Sequence, residues 1–253
     1  MLAARVGREG GHGDDRWQDV AMPVVNEFGQ EIGDAVAWSG ARAPEAGVFE
    51  GRSVRLEPLT AEHAAAVVEV LSPHPDLWTY QGENPPVSVE EAAARIAATT
   101  AAPDQLGFAI IDPASSAFLG RVCYLRIQPG LGSIEVGAII YSPSLQRTKA
   151  ATEVQYLLLR HAFDDLGYRR YEWKCDSLNV PSRKAADRLG FVEEGTWRNA
   201  LVTKGRNRDT TWYSITDAEW PSVKAGLEAW LADDNFDADG VQRQPLALLR
   251  ERE

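Results

Sequence analysis

Residues 141–163, YSPSLQRTKAATEVQYLLLRHAF, read as the end of a strand, a polar turn and then a helix. The helix reading rests on Ala151, Val154, Leu158 and Ala162, apolar at steps of three and four and so on one face, with Gly167 as the stop. The turn is the unusual part. Gln146-Arg147-Thr148-Lys149-Ala150-Ala151 puts two cations and no glycine where the chain only has to reverse. A strand entering a helix through a tight turn leaves about four backbone N–H groups without intrahelical partners. Those donors and the helix dipole suit an anion, best a phosphate or pyrophosphate, and Arg147 and Lys149 add charge at the same point. A solvated surface turn is the plainer alternative.

Upstream of the turn, Ser133–Tyr141 reads as a strand. Ile134, Val136, Ala138 and Ile140 are expected on one face, and Glu135, Gly137, Ile139 and Tyr141 on the other. Gly107–Ile111 and Phe118–Ile127 form a hairpin around Asp112-Pro113-Ala114-Ser115. Residues 53–59 alternate as a strand, Thr60 opens a helix over 61–71, and Ser88 with Glu91 forms a capping box for a helix reaching about 100. Downstream, Tyr171, Trp173 and Cys175 alternate with Arg170, Glu172 and Lys174, and NVPSRKAADRLGF gives a short helix stopped by Gly190. Strands near 192–203 and 210–216 flank KGRNRD, and DAEWPSVKAGLEAWLADD closes as a helix. Hairpins mixed with crossovers predict an α/β fold with a mixed central sheet of about seven strands and helices on both faces. The chain divides into a Gly- and Asp-rich tail (1–21), an extended segment expected to pack on the domain (22–51), the domain itself (52–220), and a C-terminal helix with a loose tail beyond 233 (221–253).

Of the 253 residues, 44% are hydrophobic and 25% charged, which permits a sizeable core. No apolar run approaches the roughly 18 residues of a membrane span, and the first twenty residues lack the apolar stretch of a secretory signal. Cys123 and Cys175 both fall in strand-like stretches and the four histidines show no ligand spacing, so neither a disulfide framework nor a metal site is expected. A cytoplasmic location fits best. The net charge of −11 argues against a nucleic-acid binder. Between Gln146 and Arg208, however, thirteen Lys/Arg stand against eight Asp/Glu, a local +5 in a chain that is otherwise −16. That contrast favours a small polyanionic ligand.

The turn QRTKAA before a helix, the strand YEWKC, NVPS and LGFVEEG together resemble the GNAT superfamily of N-acetyltransferases, in particular the RimJ/RimL type that acetylates protein N-termini. The resemblance covers about 52–220 and implies acetyl-CoA as donor, an amine acceptor and no metal; a homodimer is possible. Pyrophosphate is then expected on the backbone of Gln146, Arg147, Thr148, Lys149, Ala150 and Ala151. Pantetheine would pair like a strand with the stretch holding Gly137, Ile139 and Tyr141, and the thioester would rest where this strand and Tyr171–Cys175 part. Lys149 occupies the first glycine of the family's turn, a place where glycine lets backbone approach phosphate closely.

Acetyl transfer from a thioester to an amine needs a neutral amine and a proton for the leaving thiolate. By resemblance, Ser182 of NVPS acts on the thiolate and Asn179 holds the pantetheine arm; both also read as helix-start residues with Pro181 in the first turn. Leu201 stands where some relatives carry a glutamate base, so that role has no direct heir. Glu135 on the donor strand is the substitute, where burial would raise its pKa into a useful range, with Glu172 second. Either carboxylate also reads as an anchor of the sheet. Trp78, Tyr80, Trp197, Trp212 and Tyr213 could line an acceptor groove or simply fill the core. The alternative function is a CoA-holding module without turnover, suggested by Lys149 and Leu201.

Overall fold

The computed structural model describes residues 24–250, and the expected tail over 1–21 lies outside them. Residues 24–39 form a unit of their own. In it β1 (Val24–Val25) and β2 (Glu31–Ile32) pair antiparallel. The turn between them is held by Asn26, whose Oδ1 accepts the N–H groups of Phe28 and Gln30 at 3.0 Å each.

From Gly40 onward the chain forms one unit around an eight-stranded sheet. Its strands are β3 (Phe49–Glu50), β4 (Arg55–Pro58), β5 (Leu106–Ile111), β6 (Phe118–Gln128), β7 (Ser133–Tyr141), β8 (Arg170–Asp176), β9 (Val192–Thr203) and β10 (Arg206–Thr216). The order is β3-β4-β5-β6-β7-β8-β10-β9. The two-residue edge strand β3 is the one beyond the expected seven. Every neighbouring pair is antiparallel except β7 and β8. A parallel pair needs a crossover, and α3 (Lys149–Arg160) supplies it.

Helices cover both faces. On one, α3, α4 (Val180–Leu189) and α5 (Trp220–Leu231) bury a core against Ile134, Val136, Tyr171, Trp173 and Tyr213. On the other, α1 (Ala64–Leu71) and α2 (Val89–Ala101) pack on Ala109, Ile111, Phe118 and Ile140. The expected helix over 61–71 begins as a 3₁₀ turn at Ala61–His63. Past Arg160 the crossover helix widens into one π-helical turn, His161–Asp165, before Gly167 ends it at φ +78°. The last hairpin closes on two residues, Lys204 and Gly205, both at positive φ (49° and 75°), so β10 starts four residues earlier than the alternation suggested. Two left-handed residues give the turn whose twist matches antiparallel strands.

Two other expectations need correction. Ala138 adopts φ +48° inside β7, and the register with β6 jumps there, so the strict alternation of β7 breaks. Ile134 and Val136 face the α3 side, but Ile140 faces α1 and α2, while Ile139 and Tyr141 pack on the α3 side. One extra residue in a strand moves every later side chain to the opposite face. The chain after 233 is also not loose. A 3₁₀ turn at Asp233–Asn235 leads to α6 (Leu246–Arg250), whose Leu246 is 1% exposed. Asn235 staples this return: Nδ2 donates to the carbonyls of Trp230 (3.0 Å) and Gln244 (3.2 Å), and Oδ1 accepts the Gln244 N–H at 3.0 Å. Residues 40–51 are tied as well, through Arg42 N–H to the Leu166 carbonyl (2.9 Å). Just beyond them, the buried Glu153 of α3 accepts the N–H groups of Arg52 and Ser53 at 2.7 Å each.

Candidate active site

The parallel strands β7 and β8 pair only from Ser133 with Arg170 to Val136 with Trp173. β7 continues to Tyr141 and β8 to Asp176 without further pairs, so the sheet forks in its middle. The bulge at Ala138 turns β7 away at the fork. Gly137 stands at the branch point, where a Cβ would lie 2.6 Å from Leu125 Cδ1 and 3.1 Å from Glu135 Oε1 and so would require those side chains to shift. From Gly137 through Ile139 to Tyr141, β7 therefore has no ladder partner on β8. Tyr141 is fixed by Gln155 of α3, whose Nε2 donates to its hydroxyl at 2.6 Å, and burial pushes its phenol pKa up.

The turn that follows is tightly built. The N–H groups of Leu145 and Gln146 donate to the Ser142 carbonyl (3.0 and 3.1 Å), and Gln146 Nε2 returns to the Tyr141 carbonyl at 3.1 Å. Arg147 sits at φ +61°, a strained place for a residue with a Cβ. Thr148 caps α3: its Oγ1 accepts the Ala151 N–H at 3.1 Å and donates to the Leu145 carbonyl at 2.6 Å. Lys149 and Ala150 open the helix, where backbone N–H groups have no intrahelical acceptor. The Lys149 side chain leaves the turn. Its Nζ lies 2.9 Å from Asp233 Oδ1 and 4.6 Å from the centre of the Phe236 ring. Arg147 makes no side-chain hydrogen bond or ion pair among the described residues, so its cation stands free at the turn.

On the α3 face of the fork, Asn179 is the N-cap of α4 and accepts the Ser182 N–H on Oδ1 at 3.2 Å. Ser182 is thus not itself the cap. Its Oγ accepts Trp173 Nε1–H at 3.0 Å, beside the buried Cys175. Burial pushes the Cys175 thiol pKa up.

Glu135 and Glu172 are direct cross-strand neighbours on the opposite face, in the paired part just below the fork. Glu135 is 1% exposed and meets Lys174 Nζ at 3.0 Å and Arg126 Nε at 3.7 Å. Glu172 accepts from Arg170 Nε at 2.7 Å and shares Arg126 at 3.7 Å. Burial raises the Glu135 carboxyl pKa, and Lys174 and Arg126 pull the other way. The structure therefore brings the two carboxylates together and sets Ser182 across the sheet from them. Beside them Trp212 stacks under Arg126 (5.0 Å) and Lys174 (5.2 Å) and against Trp197 (4.9 Å), which is 61% exposed.

Of the other expected groove residues, Trp78 and Tyr213 are core. Tyr80 belongs to a strap between α1 and α2 that sequence reasoning did not single out. Its hydroxyl donates to the Leu178 carbonyl (3.1 Å) on the β8 side of the fork, and Gln81 Nε2 donates to the Ile139 carbonyl (3.1 Å) on the β7 side. Lys204, at the tip of the β9–β10 hairpin, reaches the Trp78 carbonyl at 2.6 Å. Beneath the strap the nearly buried Arg121 donates to Glu83 Oε1 at 2.6 Å. No periodicity marks HPDLWTYQGENPP, so only the density of Pro and Gly hinted at a loop. Leu201 is 44% exposed on β9, opposite Arg208.

Among the described residues, no group of three or more His, Cys, Asp and Glu is arranged to hold a metal ion, and no helix is long and apolar enough to cross a membrane. A family model described as an acetyltransferase (GNAT) domain matches residues 53–192. The crystal structure of a GCN5-related N-acetyltransferase from Brucella melitensis is 43% identical, with a TM-score of 0.80 over 85% of this chain and 98% of that one. YdaF of Bacillus subtilis, by its name a proposed ribosomal N-acetyltransferase, is 26% identical over 176 residues, 67% of this chain and 92% of its own. A Salmonella typhimurium enzyme, titled as modifying the N-terminal serine of ribosomal protein L7/L12, is 19% identical and shares the fold at a TM-score of 0.59 over 66% of this chain and 96% of its own. Fork, turn and relatives agree, and the chain belongs to the GNAT family of acetyltransferases, which transfer acetyl from acetyl-CoA to an amine.

Proposed function

We propose that this enzyme acetylates a protein N-terminus by direct amine attack on acetyl-CoA in a ternary complex. The fork carries the donor half of this reading: the unpaired stretch Gly137–Tyr141 leads straight into a turn of helix-start amides with the free cation of Arg147. A peptide-like pantetheine fits the first and a pyrophosphate the second. The names of YdaF and of the Salmonella enzyme support the protein acceptor.

Acetyl-CoA supplies an activated thioester whose thiolate leaves readily. The chain's own residues then position and move protons. Asn179 spends its Oδ1 on the cap, which leaves the amide hydrogens for the pantetheine arm. Ser182 Oγ, with one lone pair taken by Trp173, passes its proton to the departing sulfur and takes in exchange the second proton of the acetylated nitrogen, directly or through water, so that its hydroxyl is restored. On the other face Glu135, raised by burial, accepts the proton of the incoming ammonium, directly or through water, with Glu172 beside it. Lys149 does not obstruct the turn, because Asp233 and Phe236 draw it aside. That weakens one of the two features, Lys149 and Leu201, behind a CoA-holding module without turnover.

The test is release of free thiol from acetyl-CoA against a panel of N-terminal peptides and small amines. Turnover on peptides above that on small amines is expected. Thermal stabilisation by acetyl-CoA with no thiol release across the panel would return the assignment to the holding module.

A further inference from the structure

α1 and α2 cover only half of their face of the sheet: the strand residues they bury come from β5, β6 and β7, and none from β8, β10 or β9. On the other half, past the fork, a strip of side chains has no helix over it. Trp212 on β10 stands level with Lys174 of β8, and towards the hairpin tip Thr210 faces Trp197, Arg208 faces Leu201 and Arg206 faces Thr203. Residues two apart on a strand share a face, and Arg208 Nε donates to Thr210 Oγ1 at 3.3 Å along it. Trp197 (61% exposed) and Leu201 (44%) thus lie beside Arg206 and Arg208, with Lys204 at the tip. We propose that this strip is a second recognition site, which binds an acidic segment with apolar side chains in the acceptor protein, a few residues beyond its N-terminus. The inference rests on the acceptor reading above.

Charge names the partner. None of the three cations has a carboxylate partner among the described residues: Lys204 Nζ reaches the neutral Trp78 carbonyl, Arg208 the Thr210 hydroxyl, and Arg206 is exposed. The nearby acids are engaged elsewhere. Asp176 Oδ1 accepts the Leu178 N–H at 2.9 Å, Asp209 Oδ1 accepts the Asn199 N–H at 2.7 Å, and Glu135 and Glu172 are held by Lys174 and Arg170. In a chain of net charge −11, a strip with three uncompensated cations and two exposed apolar side chains complements an acidic, partly apolar chain. Distance places that chain. Lys174 Nζ lies 3.0 Å from Glu135, and Arg206 is six residues beyond Trp212 on β10, roughly 20 Å at about 3.4 Å per residue. An extended acceptor with its amine at Glu135 spans that with about six residues. The aliphatic Leu201 and a charge of only three favour a peptide over a nucleic acid, whose binding is chiefly phosphate charge. The stretch matched by the family model ends at residue 192, where β9 begins, so the strip is this chain's own.

The test measures thiol release with acceptors that share their first three residues: that tripeptide alone, and peptides of about ten residues, long enough for the strip, continued with Glu and Leu or with Lys and Leu. For the wild type, kcat/KM on the acidic peptide should exceed that on the basic one by about tenfold, the scale of three exposed charge pairs. The difference should lie in KM and shrink as salt rises from about 0.05 to about 0.5 M. Arg206→Glu combined with Arg208→Glu should invert the preference while the tripeptide, too short to reach the strip, turns over as before; melting temperature controls for folding. Arg206→Glu alone, at an exposed position, should move the ratio part of the way. Trp197→Ala with Leu201→Ala should raise KM for both long peptides by about fivefold through lost apolar contact. Equal kcat/KM for the acidic and basic peptides at low salt overturns the proposal, as does a preference that survives the double charge reversal. Equal turnover of both peptides, with inhibition by single-stranded RNA that the reversal relieves, would give the strip to nucleic acid instead. A wild type that releases thiol with none of the peptides would overturn the acceptor reading and this inference with it.

Discussion

Three side chains separate chemistry from architecture. Asn179, not Ser182, holds the cap of α4, so Ser182→Ala removes no helix-end hydrogen bond. It should lower kcat by about tenfold or more with acetyl-CoA affinity nearly unchanged, at a stability cost of about 1–3 kcal/mol for the Trp173 Nε1–H left without its acceptor. Earlier melting with normal turnover would reduce Ser182 to a partner of Trp173. Glu135 must be ionised to accept a proton, and burial raises its pKa. Activity should thus fall as pH drops through that raised value. Glu135→Gln should cut kcat by about a hundredfold and abolish that acidic limb; an unaltered pH–rate profile would pass the role to Glu172 or water. Arg147 stands at φ +61° with a free cation. Arg147→Gly should relieve strain of about 1 kcal/mol while weakening acetyl-CoA binding. A calorimetric titration showing equal affinity would mean that the cation faces only solvent.

Among the elements, those with a strong period were legible and those built on one exceptional residue were not. The helix of residues 151–162 and the alternating strand Tyr171–Cys175 were readable because their apolar side chains repeat at 3.6 and 2 residues. The turn between β7 and α3 was readable as the place where a strand enters a helix. The excursion of Lys149 to Asp233 was not, since it depends on a segment 84 residues away. Ala138 carries no sequence mark of a bulge, so Ile140 was assigned to the wrong face. The strap through Tyr80 and Gln81 has no period, and its bonds go to backbone carbonyls, which every residue possesses. At the turn itself, Thr148→Val should cost about 1 kcal/mol of stability, since it removes the cap of α3 and the bond to Leu145. Thermal unfolding checks it: an unchanged midpoint would show the helix start to be held by tertiary packing alone.

At the scale of the whole molecule, the return after Asp233 belongs to the domain. Leu246 is buried in the main core, and Leu246→Ala should cost about 2–5 kcal/mol in chemical denaturation. A cost near zero would restore the loose tail read from composition. The sheet itself has a single weak line. β3 to β7 form one antiparallel run and β8 to β10 another, and only the four residue pairs from Ser133–Arg170 to Val136–Trp173 join them. Cut at Gly167, the chain would give two pieces, each keeping its own ladder of strands, that recognise each other along that line and across α3. On the donor reading proposed above, neither piece would own the whole donor site, because one would bring the free edge and the turn before α3 and the other Ser182 and Asn179. Acetyl transfer would then report on the reunion of the halves, and this fold could serve as a complementation sensor whose signal is its own catalysis.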